Sequence, residues 1–115
     1  MTRHTMIILL AAILFSWNCS SEEQQNPPKF RVRNDRPTKA SLQVKTTGGN
    51  TININDVQPG QTTEYRESSV GGVDITVSIQ GETITPTASF DAKTNGSYTI
   101  VVANTTPPTI AVIMP

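Results

Sequence analysis

The sequence predicts a single small all-β domain, a β-sandwich of seven or eight short strands that follows a signal segment. Three observations carry this expectation. Beyond residue 19, Thr, Asn, Val and Ile abound while Leu and Ala are scarce, and β-branched side chains suit a pleated, half-buried surface. Apolar and polar residues alternate with a period of two in one segment after another, and none beyond residue 19 has a helical period. Clusters of Gly, Pro and Asn divide these segments at the spacing of a sandwich or partly closed barrel.

The strands follow in order. Phe30 and Val32 alternate with Lys29, Arg31 and Arg33, and the turn cluster Asn34-Asp35-Arg36-Pro37 ends the run. Ala40, Leu42 and Val44 alternate with Ser41, Gln43 and Lys45. Thr47-Gly48-Gly49-Asn50 is a hairpin signal, after which Ile52 and Ile54 alternate with Asn53 and Asn55. Gln58-Pro59-Gly60-Gln61 reads as a β-turn with proline at its second position. A short strand with Thr63 and Tyr65 on one face leads to a loop at Ser68-Ser69-Val70-Gly71-Gly72. Val73, Ile75, Val77 and Ile79 form the cleanest alternation in the chain. Gly81-Glu82 turns toward Thr83-Ile84-Thr85, where Pro86 imposes an edge or a break. Ala88 and Phe90 precede Asn95-Gly96, a strong hairpin signal. Tyr98 to Val102 is apolar on both faces, as a central strand is, and Thr109 to Ile113 is the last strand.

The first 18 residues read as a signal peptide. Arg3 precedes the apolar run Met6 to Phe15, and Ser16-Trp17-Asn18-Cys19 follows. The run has the length of a signal core and falls short of the roughly 20 apolar residues that a membrane span needs. Cys19 is the only cysteine, and its place after the run predicts lipidation there. The competing readings are an ordinary secretory signal and a free thiol. Residues 19–28 continue as a polar tether, Ser20-Ser21-Glu22-Glu23-Gln24-Gln25-Asn26-Pro27-Pro28, and the domain occupies residues 29–115. With Ser16 and Asn18 beside Trp17, the box resembles the relaxed boxes of Bacteroidetes and spirochaete lipoproteins. Ser20 resembles outer-membrane sorting, and Ser21-Glu22-Glu23 resembles an acidic surface-export signal. These resemblances imply a lipid-anchored protein of the cell envelope at the outer membrane, facing either the periplasm or the surface.

The landmarks of residues 29–113 also resemble a small immunoglobulin- or transthyretin-like domain of unknown function found in bacterial envelope lipoproteins. They are Phe30-Arg31-Val32-Arg33-Asn34-Asp35-Arg36-Pro37, the Pro59-Gly60 turn, Tyr65, the Val73 to Ile79 strand and Asn95-Gly96-Ser97-Tyr98-Thr99-Ile100-Val101-Val102. The resemblance implies a fold and a place in the envelope, and no catalytic residues.

Removal of the signal peptide would leave little chemistry. The one histidine, His4, would go with it, and Cys19 would be acylated. Ser–His and Cys–His nucleophiles and ordinary zinc sites are then excluded. No Asp-x-Asp-x-Asp-Gly run suggests calcium, and no phosphate-cradling glycine loop precedes a helix. The expectation is a non-enzyme without cofactor or metal. Zero formal net charge gives no nucleic-acid signature.

Lys29, Arg31, Arg33, Arg36, Lys39 and Lys45 are six of the eight Lys and Arg residues beyond Arg3. If the first two strands pair, these residues form a basic face for an anionic glycan, lipid head groups or an acidic envelope protein. The plainer reading is a solvated face that discourages edge pairing. Of the four aromatic residues beyond the signal, Phe30, Phe90 and Tyr98 hold core positions, and Tyr65 is the candidate ligand contact. The leading expectation is a lipid-anchored interaction or structural module, and the alternative is a binder of glycan or another small envelope ligand. An exposed cluster around Tyr65 and Val70-Gly71-Gly72 would favour the ligand, whereas an unpaired long edge strand would favour a protein partner.

Lipidation has a direct readout. Cys19→Ala is expected to move the protein from the detergent to the aqueous phase on detergent partitioning, and a variant that stays in detergent places the anchor elsewhere.

Overall fold

A computed structural model describes residues 25–114. The signal segment 1–18, Cys19 and the tether as far as Gln24 lie outside the described residues. Eight strands alternate with turns: β1 (Lys29–Asn34), β2 (Ala40–Thr46), β3 (Thr51–Val57), β4 (Arg66–Glu67), β5 (Gly71–Ile79), β6 (Thr87–Ala92), β7 (Ser97–Ala103) and β8 (Thr109–Ile113). They form two four-stranded sheets, β4-β1-β7-β8 and β3-β2-β5-β6. No helix occurs among the described residues.

The core is the apolar half of the alternating pattern. Phe30 and Val32 from β1, together with Tyr98, Ile100 and Val102 from β7, face Leu42, Val44, Val73, Ile75 and Val77 from the opposite sheet. Each of these is at most 4 % exposed. At about 25 cal/mol per Å² of apolar surface, this burial is the main force holding the two sheets together.

Two turns form as their residues dictate. Gln61 N donates to Gln58 O at 3.0 Å across Pro59-Gly60, and Gly60 takes the positive φ of 77° required at that position. The β2–β3 hairpin closes through Gly48 and Gly49, with φ of 98° and 90°. Inside that hairpin the register shifts between Ala40 and Leu42. Asp56 adopts a φ of 56°, and its N–H donates to Ser41 Oγ at 2.9 Å. This bulge resets the alternation, so Val57 is buried as well as Ile54.

Several expected elements differ. Asn95-Gly96 does make a tight turn, with Gly96 N donating to Lys93 O at 2.9 Å, but the strands it joins lie in different sheets: β6 pairs with β5, and β7 with β1 and β8. The turn is a corner rather than a hairpin. Tyr98 fixes it. Its hydroxyl accepts from Lys93 N at 2.9 Å, its ring packs 4.7 Å from that of Phe90, and a Cβ at residue 96 would lie 2.6 Å from the hydroxyl. Gly96 is therefore needed beneath the ring, in the arrangement of a tyrosine corner. Gly71 and Gly72 are not loop residues but the start of β5, opposite Ala92 and Asp91. The strand expected at Thr83-Ile84-Thr85 is a loop, with Ile84 half exposed. The strand around Thr63 and Tyr65 shrinks to Arg66–Glu67, because Thr63 binds β1 irregularly through Thr63 N to Val32 O and Val32 N to Thr63 Oγ1.

Asn34 is the most deeply buried polar residue among those described. It is wholly buried at the end of β1, where a buried amide must satisfy its hydrogen bonds. Its Nδ2 donates to Thr38 O at 2.8 Å and to Val57 O at 2.9 Å, and its Oδ1 accepts from Arg36 N at 3.0 Å. Its backbone accepts from Gly60 N and donates to Gln61 O.

Asn34→Ala is expected to destabilise the domain by about 3 kcal/mol, because two carbonyls and one N–H lose their partner in a buried place. Tyr98→Phe, which removes one hydroxyl, is expected to cost about 1 kcal/mol. Urea unfolding followed by circular dichroism measures both, and equal effects would contradict the central place of Asn34.

Candidate functional site

The sheet topology decides where the basic residues go. β1 and β2 do not pair: β1 lies parallel to β7, from Lys29 opposite Ser97 to Asn34 opposite Val102, whereas β2 lies between β3 and β5. The single basic face expected of the first two strands is thus divided. Lys29, Arg31 and Arg33 share the outward face of β1. Lys45 projects from the other sheet, opposite Asp74. Lys39 precedes β2 and approaches Asp56 at 3.5 Å.

Arg36 leaves the surface altogether. Its side chain is 8 % exposed, where the expectation was an exposed turn. Its Nη1 donates to Ala103 O at 3.0 Å and to Thr105 O at 2.9 Å, and its Nη2 pairs with Glu82 Oε2 at 3.1 Å. Its buried Nε has no partner among the described residues. Arg36 is held here because the β7–β8 loop turns two carbonyls toward it, and a guanidinium can serve several acceptors at once. It ties the turn after β1 to the loops after β5 and β7, and it is a structural residue.

The outward side of the β4-β1-β7-β8 sheet carries the remaining cluster. Tyr65, 40 % exposed, lies with its ring centroid 4.7 Å from Lys29 Nζ and 4.8 Å from Arg31 Cζ, within cation–π range. Arg31 Nε also donates to Thr99 Oγ1 at 3.1 Å, which fixes its direction across the sheet. Thr99 in turn stands opposite Ile113 on β8. Arg33 is bound at both ends of its fork by Asp35, at 2.9 and 3.0 Å. That hydrogen bond, and then the carboxylate's charge, raises its already high pKa. Lys93 is raised in the same way by its hydrogen bond to Asp91. Both pairs are solvent-exposed, where ion pairs add little stability. Among the described residues, Lys29 and Arg31 have no carboxylate within salt-bridge distance.

Beside Tyr65, a cleft of about 540 Å³ opens between the edge of β3 and residues 61–66, lined by Ile54, Asn55, Gln61, Thr63, Glu64 and Tyr65 among others. Val70-Gly71-Gly72 does not join it. The free edge of β3 borders the cleft at Ile54, Asn55 and Val57. Among the described residues, no three His, Cys, Asp or Glu side chains gather as a metal site requires.

One contributor escaped the sequence reading. Ile113, 45 % exposed, lies at the end of β8 opposite Thr99 and extends the outward strip from Arg31 through Thr99, while Met114, 68 % exposed, lies at the Asn95-Gly96 corner beside Ser97 and Tyr98. The signal for Ile113 was parity alone, because Ile110 and Val112 take the inward positions of β8. No protein-family model matches the chain, and a search of the curated proteins found no relative.

The two classes of basic residue separate by stability. Arg36→Ala is expected to cost about 2 kcal/mol through the carbonyls of Ala103 and Thr105, whereas Lys45→Ala is expected to stay within about 0.5 kcal/mol. Thermal melts of the two variants compare them, and an unaffected Arg36→Ala protein would return Arg36 to the surface.

Proposed function

We propose that this chain is a lipid-anchored, non-catalytic module of the cell envelope, held by acylated Cys19 and working by contact through the outward face around Tyr65. The observation that carries this reading is the group of Lys29, Arg31 and Tyr65 on one face. Two cations with no carboxylate within salt-bridge distance among the described residues share an exposed ring, beside the point where the chain from Cys19 reaches the domain. Such a group suits an anionic partner, because cations and an amphipathic ring bind charge and apolar surface together. Outer-membrane residence follows from the resemblance of the Cys19 segment to lipoprotein signals.

Of the two related forms, the transthyretin-like one is the better supported. An immunoglobulin constant-type sandwich sets its first strand beside its second, with three strands in the other sheet. Here β1 lies between β4 and β7, and each sheet has four strands.

The cleft beside Tyr65 supports the second reading, a glycan or small envelope ligand. Its walls supply Asn55, Gln61, Thr63 and Glu64 as hydrogen-bonding groups next to an aromatic ring.

A photoreactive residue in place of Tyr65 is expected to crosslink a reproducible envelope component in intact cells, while the same residue in place of Ser78, exposed on β5 of the other sheet, is expected to capture none. Equal products from both positions would remove the outward face from the proposal.

A further inference from the structure

We infer that the outward face of the β4-β1-β7-β8 sheet is a second membrane contact, which lays the domain against the anionic head groups of the bilayer that holds its own anchor. The inference rests on the proposed lipidation of Cys19.

The composition of the face suits a bilayer surface. A strip runs from Tyr65 across Lys29 and Arg31 to Thr99 and Ile113. Tyrosine favours the depth of the head groups, and Lys and Arg extend their charge to phosphate while their stems cover apolar surface. Ile113 provides the exposed apolar end. No charged residue of β7 or β8 interrupts the strip.

The attachment of the chain adds an independent argument. Asn26 N donates to Asn95 Oδ1 at 2.8 Å, and Asn95 N returns a bond to Asn26 O at 2.9 Å. Lys29 N donates to Gly96 O, and Ser68 N to Pro28 O. The chain is therefore fixed to the domain from Asn26, at the end that carries Lys29, Ser97 and Met114. Only residues 20–25 stand between Cys19 and Asn26, a span of roughly 20 Å at full extension. That end of the face cannot lie far from the bilayer that holds the acyl chains.

The charge on the face is modest. Asp35 neutralises Arg33, and Glu67 stands opposite Lys29. Free protein would bind head groups weakly through Lys29 and Arg31 alone. A short tether converts the contact into an intramolecular one, at an effective concentration on the order of millimolar, and a weak contact then suffices.

The test uses the full lipidated protein in vesicles of phosphatidylglycerol and phosphatidylcholine with brominated acyl chains. Trp17 is the only tryptophan, so signal removal leaves a dark background. Ile113→Trp reports the proposed contact, Tyr65→Trp is a second reporter should the first fail to fold, and Ser78→Trp on the opposite sheet is the control. Strong quenching at residues 113 or 65 and little at 78 is expected. It should weaken in pure phosphatidylcholine or in high salt. Adding Lys29→Glu and Arg31→Glu is expected to lower the ratio of face-bound to free domain by about 30-fold or more, at roughly fivefold for each basic residue near an anionic surface. Quenching at 113 and 65 no greater than at 78, or indifferent to head-group charge, overturns the contact. Retention on polygalacturonate with no vesicle quenching assigns the face to an anionic glycan and also overturns it. The mass of the purified protein reads the anchor separately: an unacylated Cys19 sinks the anchor and the inference with it, whereas acylated protein with unquenched reporters sinks the membrane contact alone.

Discussion

The buried amide of Asn34 is the constraint on which the rest of the fold depends. The chain must leave one sheet at the end of β1 and enter the other at β2, and such a crossing brings backbone polar groups into the interior. Asn34 satisfies three of them with one side chain, from Thr38, Val57 and Arg36, while its own backbone secures the Pro59-Gly60 turn. Asp35 N then donates to Val102 O and binds the crossing to β7. A hydrophobic core gives the sheets a reason to meet but is indifferent to their alignment. Directional bonds at this corner supply the alignment.

The same crossing governs the surface. Sending β1 to β7 rather than to β2 separates basic residues that are neighbours in sequence, and turning the chain sharply after Asn34 carries Arg36 inward. Arg36 repeats the solution of Asn34 nearby: a donor-rich side chain closes loops whose carbonyls would otherwise lack partners. Once Arg36, Lys39 and Arg33 are engaged by Glu82, Asp56 and Asp35, Lys29 and Arg31 remain beside Tyr65. The proposed contact face is thus what the fold leaves over from a larger basic stretch.

What could be read from the sequence was local. The β5 alternation from Val73 to Ile79, the Gly48-Gly49 hairpin and the Pro59-Gly60 turn each follow from residues within one or two turns of chain, and all three occur. What could not be read depends on distant partners. Asn95-Gly96 makes the same tight turn whether its strands pair or part, and Tyr98 over Gly96 beside Phe90 decides the matter. The parallel pairing of β1 with β7 joins segments far apart in the chain and leaves no local mark. Arg36 reads as a surface charge because its acceptors, the carbonyls of Ala103 and Thr105, carry no side-chain signature. Tyr65 was legible as a candidate contact, but its two cation neighbours required the fold.

The parallel alignment of β1 with β7 also has a mechanical side. Tension transmitted through the residues ahead of Asn26 meets the Asn26–Asn95 bonds first and, once they yield, enters β1 at Lys29; directed along the strand, it pulls β1 lengthwise against β7. The pairs from Lys29 with Ser97 to Asn34 with Val102 are then loaded together in shear and must slip as a group, whereas a strand pulled sideways would peel one bond at a time. The sheet-to-sheet plug at Asn34 sits at the far end of that line, so the domain resists being drawn out by its N-terminus along its best-secured axis.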